Sequence, residues 1–150
     1  NGATLLHWHQ KNKMWLPPGG HIESNEDPHQ AALREACEEA GFPVVILPTA
    51  SPYEYQVPPQ LPAPATIMVE EIPANKTDPA HQHIDMIYFA RPLTLETPSP
   101  PADTWRWVSE KTLRENQPLV PSPGLASVPI PNDVRVLGLA AIKHATKVAT

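Results

Sequence analysis

The sequence predicts an α/β or α+β domain in which helices cover a partly antiparallel sheet. Two helical segments carry start and packing signals, three apolar runs read as strands, and the 21 prolines crowd into the stretches between them. A chain of 150 residues is about the size of one domain, long enough to bury most of its apolar surface around a single core. Residues 1–150 are therefore read as a single domain.

In chain order, Asn1-Gly2 is a hairpin-type turn signal that passes straight into a strand at Ala3–His9. It reads as though an earlier strand preceded it, so an N-terminal segment is expected ahead of Asn1. Pro17-Pro18-Gly19-Gly20 is a tight turn whose glycines let the backbone come close to a neighbour. Pro28–Ala40 is the best-signalled helix: Asp27 caps it, Pro28 suits its first position, and Gln30 completes a capping box. Gly41 stops it and Pro43 forbids continuation. Ile67–Ile72 and Ile84–Ala90 read as strands, and Glu110–Glu115 as a short helix capped by Ser109. Asp133–Lys147 closes the chain as a helix, its Val134, Leu137, Ala141, Ile142 and Ala145 recurring as a core-facing stripe. Prolines from Pro48 to Pro64, Pro92 to Pro101 and Pro118 to Pro131 mark rigid surface connections.

Composition narrows the function class. Hydrophobic residues at 41% and charged residues at 18% place the chain with globular proteins. No apolar run approaches a bilayer span, and the stretch at Leu5 and Leu6 is broken at once by His7, His9 and Lys11, unlike a signal peptide. A cytoplasmic address is the expectation, and the lone Cys37 agrees with a reducing compartment. A net charge of -5 argues against a nucleic-acid polymer, whose footprint is a basic stripe. An anionic ligand would need a divalent cation to bridge it to this surface.

On a helical wheel, Leu33, Ala36, Cys37 and Ala40 fall on one side of the Pro28–Ala40 helix and Glu35, Glu38 and Glu39 on the other. A charge run of this kind is usually a solvated face, but here it carries a cost. Glu35 faces Glu38 and Glu39 at i+3 and i+4, and like-charge pairs there destabilise by ~0.2–0.5 kcal/mol each. The helix dipole adds a penalty of ~0.3–1 kcal/mol for acids near the C-terminal end. A divalent cation reverses both effects by turning the crowded carboxylates into hard oxygen ligands. Mg²⁺ keeps several waters and also takes phosphate oxygens, so two or three protein carboxylates suit it.

The run from Gly20 to Phe42 resembles the Nudix box, G-x5-E-x7-R-E-U-x-E-E-x-G-U with U apolar. Gly20, Glu26, Arg34, Glu35, Glu38, Glu39 and Gly41 stand at its fixed positions, with Ala36 and the bulkier Phe42 in apolar places. Seven specified residues at fixed spacing make a specific motif. The run Trp15 to Glu23 and the junction Trp107-Val108-Ser109-Glu110 also resemble segments of this family. The resemblance implies a sandwich with a mixed sheet between helices, the box forming a loop, helix and loop at the active site. It implies Mg²⁺-dependent (or Mn²⁺-dependent) hydrolysis, by metal-activated water, of a diphosphate linkage in a nucleoside diphosphate joined to a group X. Nucleoside tri- or diphosphates and ADP-sugars are the substrate class, and a homodimer is compatible with it.

Carried over residue by residue, Glu38 and Glu39 are the implied metal ligands, with the Gly19 carbonyl. Glu35 is a further ligand or the group that orients or deprotonates the water. Arg34 and Glu26 pair to hold Glu35, and Gly20 shapes the turn. Members of this family also use an acid from outside the box, for which Asp103 and Glu96 are the candidates. His83 and Asp85 share a strand face and are candidates for a pocket edge; Trp8 and Trp15 are candidates for stacking on a base, although aromatics more often simply pack. The His-x-His pairs His7/His9 and His81/His83 have a spacing that suits a transition metal, against an ordinary polar reading that is the commoner outcome. The competing reading from another class is a nucleotide-sensing or scaffold domain that keeps the fold without catalysis.

Overall fold

The computed structural model describes residues 2–49, 53, 55–94 and 96–148. Asn1 of the expected N-terminal turn and Pro52 of the first proline cluster lie outside them. Ten elements follow in order: β1 (Ala3–His9), β2 (Met14–Leu16), α1 (Pro28–Ala40), β3 (Val44–Ile46), β4 (Thr66–Ile72), β5 (His81–Ile87), β6 (Ala90–Pro92), β7 (Trp105–Ser109), α2 (Glu110–Glu115) and α3 (Asn132–Val148). The class is α/β, as expected. Its described strand pairs are all antiparallel, and they form three separate sheets rather than one mixed sheet: β2-β1-β7, β3-β6 and β4-β5.

The β2-β1-β7 sheet is the centre of the molecule, and the alternation of β1 explains why. Leu6 and Trp8 point to one face, where they join Trp15, Val108, Leu113, Ile130, Val134 and Ile142 in the larger core cluster. Leu5 points to the other face and joins Ala40 of α1 and Trp105 in the smaller one, with Phe42 and Trp107 packed against it. Helices α2 and α3 thus cover one side of the sheet and the end of α1 the other. Complete burial of side chains such as Leu6 and Leu113 stabilises by ~1.5–3 kcal/mol each. Gly138 is the close-approach point of α3: a Cβ there would stand 3.1 Å from Cγ2 of Thr4 and 3.2 Å from Cδ1 of Leu113. The stripe of α3 is accordingly Val134, Gly138 and Ile142, with Leu137 and Ala141 only partly buried.

The strand expected over Ile84–Ala90 is two strands. His81–Ile87 pairs with Thr66–Ile72 from His81↔Ile72 to Ile87↔Thr66. The chain then leaves that hairpin, the Phe89 carbonyl accepts from the Leu47 amide at 2.7 Å, and Ala90–Pro92 pairs with β3. The polar start His81-Gln82-His83 hid the true beginning of β5. No helix among the described residues is long and apolar enough to cross a membrane.

Candidate active site

Helix α1 starts as its sequence dictates. The Asp27 carboxylate accepts from the Gln30 amide at 2.9 Å and the Gln30 side chain accepts from the Asp27 amide at 3.0 Å, a reciprocal capping box with Pro28 behind it. Gly41 ends the helix at φ 76°, a left-handed conformation that glycine adopts without penalty. These two ends fix which way the acidic face looks. Cys37 does not lie on the packed side as the wheel suggests; it is exposed, because only the helix end at Ala40 meets the sheet while Ala31 is buried on another side.

Arg34 organises the acidic face. Its Nε and Nη2 donate to both oxygens of Glu26 at 2.9 Å each, a bidentate pair. Its Nη1 donates to Oε1 of Glu35 at 2.8 Å and to Oε2 of Glu38 at 3.3 Å, and Nη2 also donates to the His21 carbonyl at 3.0 Å. The Glu23 amide donates to Glu26 Oε2 at 3.0 Å. The Arg34 guanidinium first, and that amide second, hold the Glu26 carboxyl below its ordinary range. The bonds to Glu26 and Glu35 in turn raise the Arg34 pKa further, so its charge is fixed.

The glycine turn closes on the same face. The Gly19 amide donates to Oε2 of Glu39 at 3.0 Å. A Cβ built on Gly20 would lie 2.7 Å from Oε2 of Glu35 and closer still to Oε1 and Cδ, so the Glu35 carboxylate rests directly on the glycine backbone. Glu35, Glu38 and Glu39 each have one oxygen engaged by these bonds. Their other oxygens take no hydrogen bond among the described residues, and they are hard donors of the kind Mg²⁺ prefers. In this arrangement no group of three His, Cys, Asp or Glu side chains among the described residues is assembled for a metal. The donor chemistry nevertheless fits a divalent cation held with several waters.

Other expected residues scatter. Trp8 and Trp15 are core residues, buried edge to face at 5.6 Å, and so are removed from any surface where a base stacks. Their place on the α2/α3 side of the sheet is a product of strand alternation. Asp103 is exposed in the turn before β7, where its backbone carbonyl accepts from Arg106. Glu96 is exposed, and its carbonyl accepts from Thr94 Oγ1 at 3.0 Å. No described contact brings either acid to the α1 glutamates. His83 comes nearer: its ring stands edge-on to His21, just after Gly20, at 5.4 Å. Asp85 follows on the same face of β5, opposite Met68.

Two residues gain significance that the motif alone did not give them. His21 receives Arg34 through its carbonyl and faces His83 through its ring. His7, on the α1 side of β1, stacks on Trp105 at 4.6 Å. Burial lowers its pKa, opposed by the charge of Glu39 and the Pro17 backbone and reinforced by His9. The signal for His7 was available in the alternation that puts it on the same face as Leu5.

The profile of the NUDIX domain matches residues 1–124. The chain belongs to the Nudix family. A crystal structure of a NUDIX-family hydrolase from Clostridium perfringens superimposes with a TM-score of 0.65 at 27% identity, covering 95% of this Nudix chain and 89% of that one. An RNA pyrophosphohydrolase of Brucella ovis is 47% identical over 51 residues, 33% of this chain and 29% of the relative. The aligned part is thus under a third of the relative's length. Helix α3 lies beyond the matched residues but packs on β1 and α2.

Proposed function

We propose that this Nudix chain is a Mg²⁺-dependent pyrophosphohydrolase that cleaves the diphosphate linkage of a small nucleoside diphosphate joined to a group X, of the nucleoside tri- or diphosphate or ADP-sugar class. The observation that carries the reading is the gathering of three glutamates at the Gly19-Gly20 turn: Arg34 holds Glu35 and Glu38, Glu35 rests on Gly20, and the Gly19 amide holds Glu39. Glu38 and Glu39, with the Gly19 carbonyl, would hold the metal; Mn²⁺ suits the same oxygens. When bound, such a cation neutralises charge on attacking and leaving oxygens and acidifies water. Glu35 orients the attacking water and accepts its proton at a carboxylate oxygen, while Arg34, pinned by Glu26, keeps that oxygen in place. The net charge of -5 favours a small nucleotide over a polymer. Residues 1–150 act as one domain, supported by α3 burying Val134 and Ile142 in the shared core. The exposed free thiol of Cys37 suits a cytoplasmic address.

The test is product release from nucleoside triphosphates, nucleoside diphosphates, ADP-ribose and dinucleoside polyphosphates, with Mg²⁺ and with EDTA, for wild type and Glu39→Gln. Glutamine keeps an acceptor for the Gly19 amide, so the fold survives while the anionic ligand is lost. Metal-dependent turnover that falls at least ~100-fold in Glu39→Gln, an effect of about 2.7 kcal/mol on the barrier, is the expected result. Unchanged activity in that variant overturns the assignment. Silence across the panel with tight nucleotide binding identifies a sensing domain instead.

A further inference from the structure

Away from the α1 glutamates, the β4–β5 hairpin presents a second kind of donor. Residues two apart in a strand point the same way, and His81 and His83 bring their Nε2 atoms to 3.2 Å. Their rings are tilted by 52° with centroids 5.0 Å apart. His81 Nδ1 lies 2.9 Å from the Pro79 carbonyl. A carbonyl only accepts, so Nδ1 carries the proton and Nε2 turns out a bare lone pair. Metal-ligating histidines are held in this way, with one ring nitrogen tied to a carbonyl and the other directed outward. The spacing fits too: a tetrahedral cation with imidazole nitrogens ~2.0–2.1 Å away sets its ligand atoms about 3.3 Å apart.

We propose that His81 and His83 chelate a late transition cation of the Zn²⁺ or Ni²⁺ class through their Nε2 atoms, at a site separate from the carboxylates of α1. Imidazole nitrogen selects these cations over Mg²⁺. Because no third ligating side chain is assembled there among the described residues, the remaining positions take water or a ligand oxygen. Without metal, His83 donates its Nε2 proton to His81; on binding, that proton shifts to Nδ1 of His83 and both Nε2 lone pairs go to the cation. The chelate stands beside His21, whose ring faces His83 and whose carbonyl holds Arg34. A cation there places positive charge beside the loop that leads into α1.

Ni²⁺ alone is titrated calorimetrically into the intact protein in excess Mg²⁺, which keeps the carboxylates occupied. Wild type is expected to bind one equivalent. Loss of an outer partner alone weakens metal sites by ~10–100-fold, so His81→Asn and His83→Asn, which remove ligands, are each expected to weaken binding at least ~10-fold. The double variant Glu38→Gln/Glu39→Gln retains it. All of these positions are exposed or half-buried, and melting curves verify that each variant is folded. Wild type that takes up no Ni²⁺, or histidine variants that bind as wild type does, overturns the proposal. Cu²⁺ resonance spectra supply an independent count: two coupled nitrogens are expected, and none refutes the chelate.

Discussion

Replacing Gly20 with alanine isolates one contact of the site. The position does not have a positive φ, so a methyl group there costs no backbone strain. It does meet the Glu35 carboxylate, at 2.7 Å from Oε2 and less from Oε1 and Cδ, where ordinary contact needs about 3.5 Å. The carboxylate must therefore retreat by about 1 Å. Glu35 is bonded to Arg34 at 2.8 Å, so that retreat either breaks this bond or pulls Arg34 off Glu26. A misplacement of about 1 Å in a catalytic group costs roughly 100-fold in rate, equivalent to about 2.7 kcal/mol in the barrier. Stability should move little, because alanine also restricts the unfolded chain by ~0.4–1 kcal/mol in favour of folding. Steady-state kcat for metal-dependent product release, measured beside a thermal melt, separates the two effects. A variant with wild-type kcat refutes the positioning argument, and one that melts far below wild type shows that Gly20 serves the fold instead.

Three further outcomes follow from the same geometry. Arg34→Lys keeps the charge but loses the fork that reaches Glu26, Glu35 and His21 together; kcat should fall ~10–100-fold with KM little changed, and full activity in kinetic assays would exclude a positioning role. Glu26 is held below its ordinary pKa of 4.5, chiefly by Arg34, so its contribution to stability is present above that value and is lost as pH falls through the folded-state value. The melting temperatures of wild type and Glu26→Gln should converge on acidification below 4.5, and parallel curves would contradict the linkage. Gly138→Ala gains ~1 kcal/mol of helix propensity but crowds Thr4 and the fully buried Leu113, which costs ~1–3 kcal/mol. Chemical denaturation should show a net loss of about 1 kcal/mol, and a net gain would mean that the interface yields.

What the sequence made legible was what local chemistry decides. The Asp27 and Ser109 caps place α1 and α2 at the expected boundaries, because a cap is a contact between neighbours in the chain. The glutamates and Arg34 were legible through spacing on one helix. Strands of three residues, β2, β3 and β6, are too short to show a period and exist only through their partners. The burial of Trp8 and Trp15, the exposure of Cys37 and the closeness of Gly138 to Thr4 all depend on which sheet face a helix covers, which no local pattern encodes. The approach of His21 to His83 likewise needs a loop and a distant hairpin to meet.

The alternation of β1 has a practical corollary for anyone redesigning this protein. Thr4, Leu6 and Trp8 look toward α3 and its core, whereas Leu5 and His7 look toward α1 and Trp105. One short strand therefore carries two separable sets of positions. A combinatorial library confined to Leu5 and His7 samples the packing of the sheet against Ala40 of α1 and Trp105, while one confined to Leu6 and Trp8 samples the larger core under α2 and α3. Changes in the two sets therefore meet different neighbours, although the positions alternate along one strand.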